Sequence, residues 1–160
     1  LVEVRAGTVT AIMEEGRAMK RLKLIGAMAG LALAAATATQ ALAAAAEDAI
    51  GTWKDTETGG ITEVYTCPGG ICIKVVTPSK GREKDNNNPS AALKGRSMAG
   101  AVIMTGAAKD GADRWKGKIY NSEDGKTYEG YVTVKGKDEV KLEGCVLSFL
   151  CKSHIWRRAK

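Results

Sequence analysis

The most reactive side chains in this sequence are four cysteines and a single histidine. Cys67 and Cys72 flank Pro-Gly-Gly-Ile, and Cys145 and Cys151 flank Val-Leu-Ser-Phe-Leu. A zinc site built from all four would have unusual ligand spacing. A redox motif needs two residues between its cysteines, which neither pair has. An even cysteine count in an exported chain reads instead as disulfides. Four cysteines allow three connectivities, which sequence alone does not separate; the pairings Cys67–Cys72 and Cys145–Cys151 are the expectation, because each brackets a tight turn. The lone His154 lacks partner ligands for a metal and a nearby nucleophile for a triad. Ser153 beside it projects to the opposite face of an extended segment. Asp85 and the run Asn86, Asn87, Asn88 offer oxygen ligands of the kind calcium takes, but their spacing is not that of an EF-hand. The turn chemistry of Asp and Asn accounts for them. Glu123-Asp124 is an acidic pair in a hairpin turn, without the burial or cleft that acid–base chemistry needs. No glycine-rich phosphate loop is present. These residues imply no catalytic group, no metal site and no cofactor.

The elements that must position these groups lie in the C-terminal part of the chain. All the aromatic residues (three Trp, four Tyr and one Phe) lie at or after Trp53, and residues 24–46 carry no charge. Met19-Lys20-Arg21-Leu22-Lys23 is followed by an uncharged, alanine-rich run and then by Ala41-Leu42-Ala43. That order is a basic region, an apolar region and a small-x-small cleavage site, the order of a secretory signal. Cleavage is expected after Ala43, with Ala45 as the next choice. The uncharged run is nominally long enough to span a membrane. However, Thr and Gln interrupt it and no Trp or Tyr flanks it. The expected organisation is an upstream extension at 1–18 (a mis-called start, with Met19 as the true one), a signal peptide at 19–43 and a single domain at 44–160. That places the protein in the periplasm or outside a bacterial cell, with no stable membrane insertion after cleavage. The net charge of +6 is mild and interspersed. It forms no basic stripe with stacking aromatics, so nucleic-acid binding is not expected.

After Ile50 the sequence alternates with the period of strands and is punctuated by turn residues. Strands are expected at 50–55, 61–66, 71–77, 99–105, 114–121, 126–135, 139–145 and 152–158. On the third, Ile71, Ile73 and Val75 share one face. On the sixth, Tyr128, Gly130, Val132 and Val134 do. Pro78–Arg96 is the longest polar stretch, with a helical turn at Ser90–Lys94, and reads as a loop. Residues 107–113 read as a turn. The expected fold class is all-β, a small antiparallel up-and-down barrel of about eight strands, because closure removes the exposed edges of so long a meander. Such a barrel has room to be filled by side chains or to hold one small ligand.

Gly51-Thr52-Trp53 on the first strand resembles the Gly-x-Trp signature of lipocalins and the wider calycin superfamily. There the Trp closes one end of the barrel and an Arg from near the last strand packs across it. The resemblance implies barrel-closing roles for Gly51 and Trp53 with Arg157 or Arg158. Further along come Asp85-Asn86-Asn87-Asn88-Pro89, Arg96 and Gly100, then Trp115 through Tyr128, Gly144-Cys145 and Trp156-Arg157. In that order they resemble the secreted bacterial domain-of-unknown-function family 2147 over about residues 49–158. Ser122 stands where that family usually has proline. The resemblance implies an exported calycin-like barrel and no established activity.

The functional expectation is an exported, non-enzymatic barrel. It would bind a small apolar or amphipathic molecule, with Trp53, Trp115, Tyr120, Tyr128 and Trp156 as candidate ligand residues. With one Phe in the domain, any cavity is expected to be small. The alternative is a cell-envelope interaction module that uses the barrel surface or the 78–96 loop to bind another envelope protein.

Overall fold

The structure is a computed structural model that describes residues 44–147 and 149–160. The expectations for the upstream extension and the signal peptide, residues 1–43, lie outside the described residues.

Eight strands follow a short 3-10 turn at Ala46–Ala49: β1 (Gly51–Asp55), β2 (Ile61–Cys67), β3 (Gly70–Thr77), β4 (Val102–Lys109), β5 (Arg114–Asn121), β6 (Lys126–Gly136), β7 (Glu139–Val146) and β8 (Leu150–Arg158). Each pairs antiparallel with the next, and β1 pairs with β8 to close the barrel. Trp53 faces Arg158 and Asp55 faces Trp156 across that seam. Among the described residues, closure leaves no barrel strand with an unpaired edge to template association.

The period-2 pattern turns the expected faces inward. Ile71, Ile73, Val132, Val134 and Val140 are buried, and on β5 the exposed Lys116 and Lys118 alternate with the buried Trp115 and Ile119. One strand differs from expectation. β4 runs Val102–Lys109 rather than 99–105, so Ala107–Lys109 belong to strand and not to a turn. Gly106 accounts for the difference. It sits mid-strand at φ +62°, and a Cβ there would lie 3.1 Å from the Pro68 carbonyl oxygen. A glycine inside a strand marks a bulge or a close backbone approach as readily as a turn.

The two ends of the barrel differ. The core gathers at the end that holds the start of β1 and the end of β8, around Trp53, Ile73, Met104, Val132 and Trp115. The 3-10 turn plugs this end. Its Ala46 and Ala49 are buried, small enough to fit beneath two indoles. The Ala49 carbonyl accepts from Trp53 Nε1 at 2.7 Å, and the Ala46 carbonyl accepts from Trp115 Nε1 at 2.7 Å. Large buried rings with satisfied N–H groups make an effective stopper.

Candidate functional site

At the plugged end the Arg158 guanidinium lies 4.2 Å from the centre of the Trp53 ring, in range for a cation–π contact. It donates to the carbonyls of Asp48 (2.8 Å), Ile50 (3.2 Å) and Lys137 (2.7 Å), tying β8 to the plug and to the β6–β7 turn. Gly51 makes room for it. A Cβ there would stand 2.4 Å from Arg158 Nη1, and φ is +141°. Alternation along β8 sends Arg157 outward, where it pairs with Glu139 at 2.7 Å and is 61% exposed. The Arg157 side chain therefore does not pack across Trp53, although its backbone pairs with Lys54 in the seam.

Both disulfides form as expected. Cys67–Cys72 staples the β2–β3 hairpin and Cys145–Cys151 joins directly paired residues of β7 and β8. Beyond the second bridge, Leu147 (77% exposed), Phe149 (80%) and Leu150 hold an apolar hairpin tip out in solvent at the open end.

The interior at that open end is a cavity of about 660 Å³, not the small one expected. That volume suits a drug-sized or lipid-like molecule. Its wall has two faces. Val75, Ile103, Ile119, Tyr128 and Leu142, on β3 to β7, make an apolar face. Asp55 on β1, Thr62 on β2 and His154 with Trp156 on β8 make a polar face on three adjacent strands. Of the candidate ligand residues, Tyr120, Tyr128 and Trp156 line the cavity, whereas Trp53 and Trp115 sit in the plug.

Asp55 is set by its turn. Its Oδ1 accepts from the backbone N–H of Glu57 (2.8 Å) and of Thr58 (3.1 Å). Burial pushes its carboxyl up, but those N–H groups and the His154 ring outweigh it and hold the group below the ordinary carboxylate value. His154 Nδ1 lies 3.1 Å from Asp55 Oδ2 and 3.5 Å from Glu57, in ion-pair range but without the alignment of a hydrogen bond. Asp55 and Thr62 escape a reading by residue type. Their signal is positional, since Asp55 lies two residues after Trp53 and so shares its inward face.

The β3–β4 loop is fastened beside the opening. Asp85 is 0% exposed. Its carboxylate accepts from Tyr120 Oη (2.5 Å), Asn88 Nδ2 (2.7 Å) and Arg96 Nε (3.1 Å). Burial and the adjacent carboxylate push the Tyr120 hydroxyl up to about 12, so it remains a donor. Asn87 Nδ2 donates to the Glu123 carbonyl at 2.7 Å, and Arg82 pairs with Glu123. The acidic motif therefore anchors the loop to the β5–β6 turn and leaves its carboxylate fully occupied. Among the described residues, no group of three His, Cys, Asp or Glu is placed to hold a metal ion.

A family model described as "Uncharacterized protein conserved in bacteria (DUF2147)" matches residues 51–158. The chain belongs to this family. The match covers every strand of the DUF2147 barrel and the seam pair Trp53 and Arg158. Among solved structures it is similar to protein HP1028 from the human pathogen Helicobacter pylori, described as belonging to the lipocalin family. The TM-score is 0.62 at 25% identity, covering 70% of this chain and 83% of HP1028. No curated protein matches the chain. The fold of this DUF2147 member is thus a lipocalin-like barrel.

Proposed function

We propose that this protein is an exported, non-enzymatic carrier or sensor that holds one small apolar or amphipathic molecule in the open end of its barrel. The cavity of about 660 Å³, with a plug beneath it and an apolar wall on five strands, is the observation that carries this reading. The likeness to a lipocalin-family protein supports it. Export rests on the basic–apolar–small-residue order of residues 19–43 and is supported by two disulfides, which persist in oxidising compartments.

One preparation tests both parts. Protein expressed with residues 1–43 and recovered from a bacterial periplasm should begin at Ala44 by mass. It should also bind the uncharged fluorophore N-phenyl-1-naphthylamine saturably, and Leu142→Trp, which fills the cavity, should weaken that binding by about tenfold or more. A fluorophore that never saturates would sink the carrier reading. If such a protein instead retained an envelope partner through the apolar Leu147–Leu150 tip, the interaction module would take its place. The 78–96 loop is less suited to that role because Asp85, Asn87 and Arg82 already fasten it.

A further inference from the structure

The cavity wall contains a polar patch whose hydrogen-bonding capacity the fold uses only in part, through the turn contacts of Asp55 and its approach to His154. Among the described residues, buried side-chain polar atoms without a hydrogen-bond partner occur at Thr62 Oγ1, Asp110 Oδ2, His154 Nδ1 and Trp156 Nε1. Three of these four belong to residues of the cavity wall. Trp156 is 3% exposed, and its indole N–H differs from those of Trp53 and Trp115, which are both bonded to backbone carbonyls. A buried donor left unpaired loses its hydration and gains nothing in return, so native proteins seldom leave one. The concentration of such groups on one side of one cavity has no role in closing the barrel.

The strand register makes these groups neighbours. Asp55 is directly opposite Trp156, and His154 is the next inward residue along β8. Thr62 pairs with Trp53, which places it diagonally across from Asp55. The patch therefore holds, buried behind the cavity surface, donors from the indole, the imidazole and the threonine hydroxyl, together with one carboxylate acceptor. An indole N–H can only donate. Its partner must carry an acceptor, which an alkylammonium group lacks. A carboxylate has acceptors but would be set beside the Asp55 charge, with Glu57 close behind. A hydroxyl satisfies both demands, accepting from Trp156 and donating to Asp55.

We infer that the ligand is an uncharged, hydroxyl-bearing amphiphile, seated with its oxygen against Asp55, Thr62, His154 and Trp156 and its hydrocarbon against Val75, Ile103, Ile119 and Leu142. This rests on the carrier reading and specifies its ligand class. Small side-chain adjustments of the kind that accompany binding bring the unpaired donors onto the ligand oxygen.

The test compares 1-decanol, decanoate and decylamine at neutral pH, read by the three indole N–H resonances in a nitrogen–proton correlation spectrum. Decanol should bind about tenfold tighter than either charged analogue. It should move the Trp156 resonance to lower field and leave those of Trp53 and Trp115 in place. Trp156→Phe should remove that resonance and weaken decanol by about tenfold, the two remaining indole signals reporting an intact plug. Asp55→Asn should bring decanoate up toward decanol. Three affinities within about threefold of one another, or tighter binding of a charged analogue, would overturn the inference. So would a ranking untouched by both variants. If N-phenyl-1-naphthylamine binds and none of the three amphiphiles does, the ligand class is wrong while the carrier reading stands. If none of the four binds, both fall.

Discussion

Gly51 and Arg158 contend for one small volume above the Trp53 ring, and the glycine yields it. Adding a single methyl at residue 51 would meet Arg158 Nη1 at 2.4 Å and fix a side chain at φ +141°. Strain of that kind costs about 1–3 kcal/mol. Gly51→Ala should therefore cost about 2 kcal/mol of stability, read as a lower urea midpoint. Arg158→Ala frees the volume but forfeits the cation–π contact and three hydrogen bonds to carbonyls, also about 2 kcal/mol. The double variant should lose clearly less than the two losses added, because the clash and the contacts involve the same guanidinium. A strictly additive double-mutant cycle would mean that Gly51 is not there to admit Arg158. At the same scale, the Trp156 N–H lacks the backbone carbonyl that those of Trp53 and Trp115 meet, and that difference is invisible in the residue type.

At the level of elements, the β3–β4 loop behaves as part of the wall because Asp85 holds it. Burial works to raise that carboxyl, but hydrogen bonds from Tyr120, Asn88 and Arg96 outweigh it and hold it below the ordinary value. A group depressed in this way stabilises fully above the unfolded carboxylate value of about 4 and loses the contribution as pH falls through the depressed one. Asp85→Asn should cost about 3 kcal/mol at neutral pH, as the loss of a buried charge partner does, and the gap to the parent protein should shrink near about pH 3. Chemical denaturation at the two pH values checks it, and a gap that widens in acid would show that Asp85 is not the ionised anchor. The strands themselves were legible wherever alternation was strict, as along Ile71–Val75 and Tyr128–Val134. The limits of β4 were not, because Gly106 looks like a turn residue until the close approach of the Pro68 carbonyl is seen. Asp85 was legible as a turn former but not as a buried anchor. Its partners Tyr120 and Arg96 are distant in sequence, and no local pattern announces such a contact. The polar face of the cavity was half-legible. His154 and Trp156 alternate visibly, whereas only the closed barrel brings Asp55 and Thr62 beside them.

For the whole molecule, the division into a packed end and an open end should appear as two classes of core substitution. Met104 is 1% exposed within the packed cluster, so Met104→Ala should cost about 3 kcal/mol. Leu142 faces the cavity and has few atoms on that side to lose, so Leu142→Ala should cost about 1 kcal/mol. Equal losses in thermal denaturation would argue that the interior is packed throughout. The same polarity governs where the chain meets anything attached to it. The Ala46 N–H donates to the Ala112 carbonyl at 2.8 Å, and the Ala159 N–H donates to the Thr52 carbonyl at 2.9 Å, so the two ends of the described domain emerge side by side at the plugged base. A bead, chip or fusion partner joined through either end therefore grips the barrel by its foot. The mouth then faces bulk solution, and immobilised protein remains as open to solutes as protein that diffuses freely.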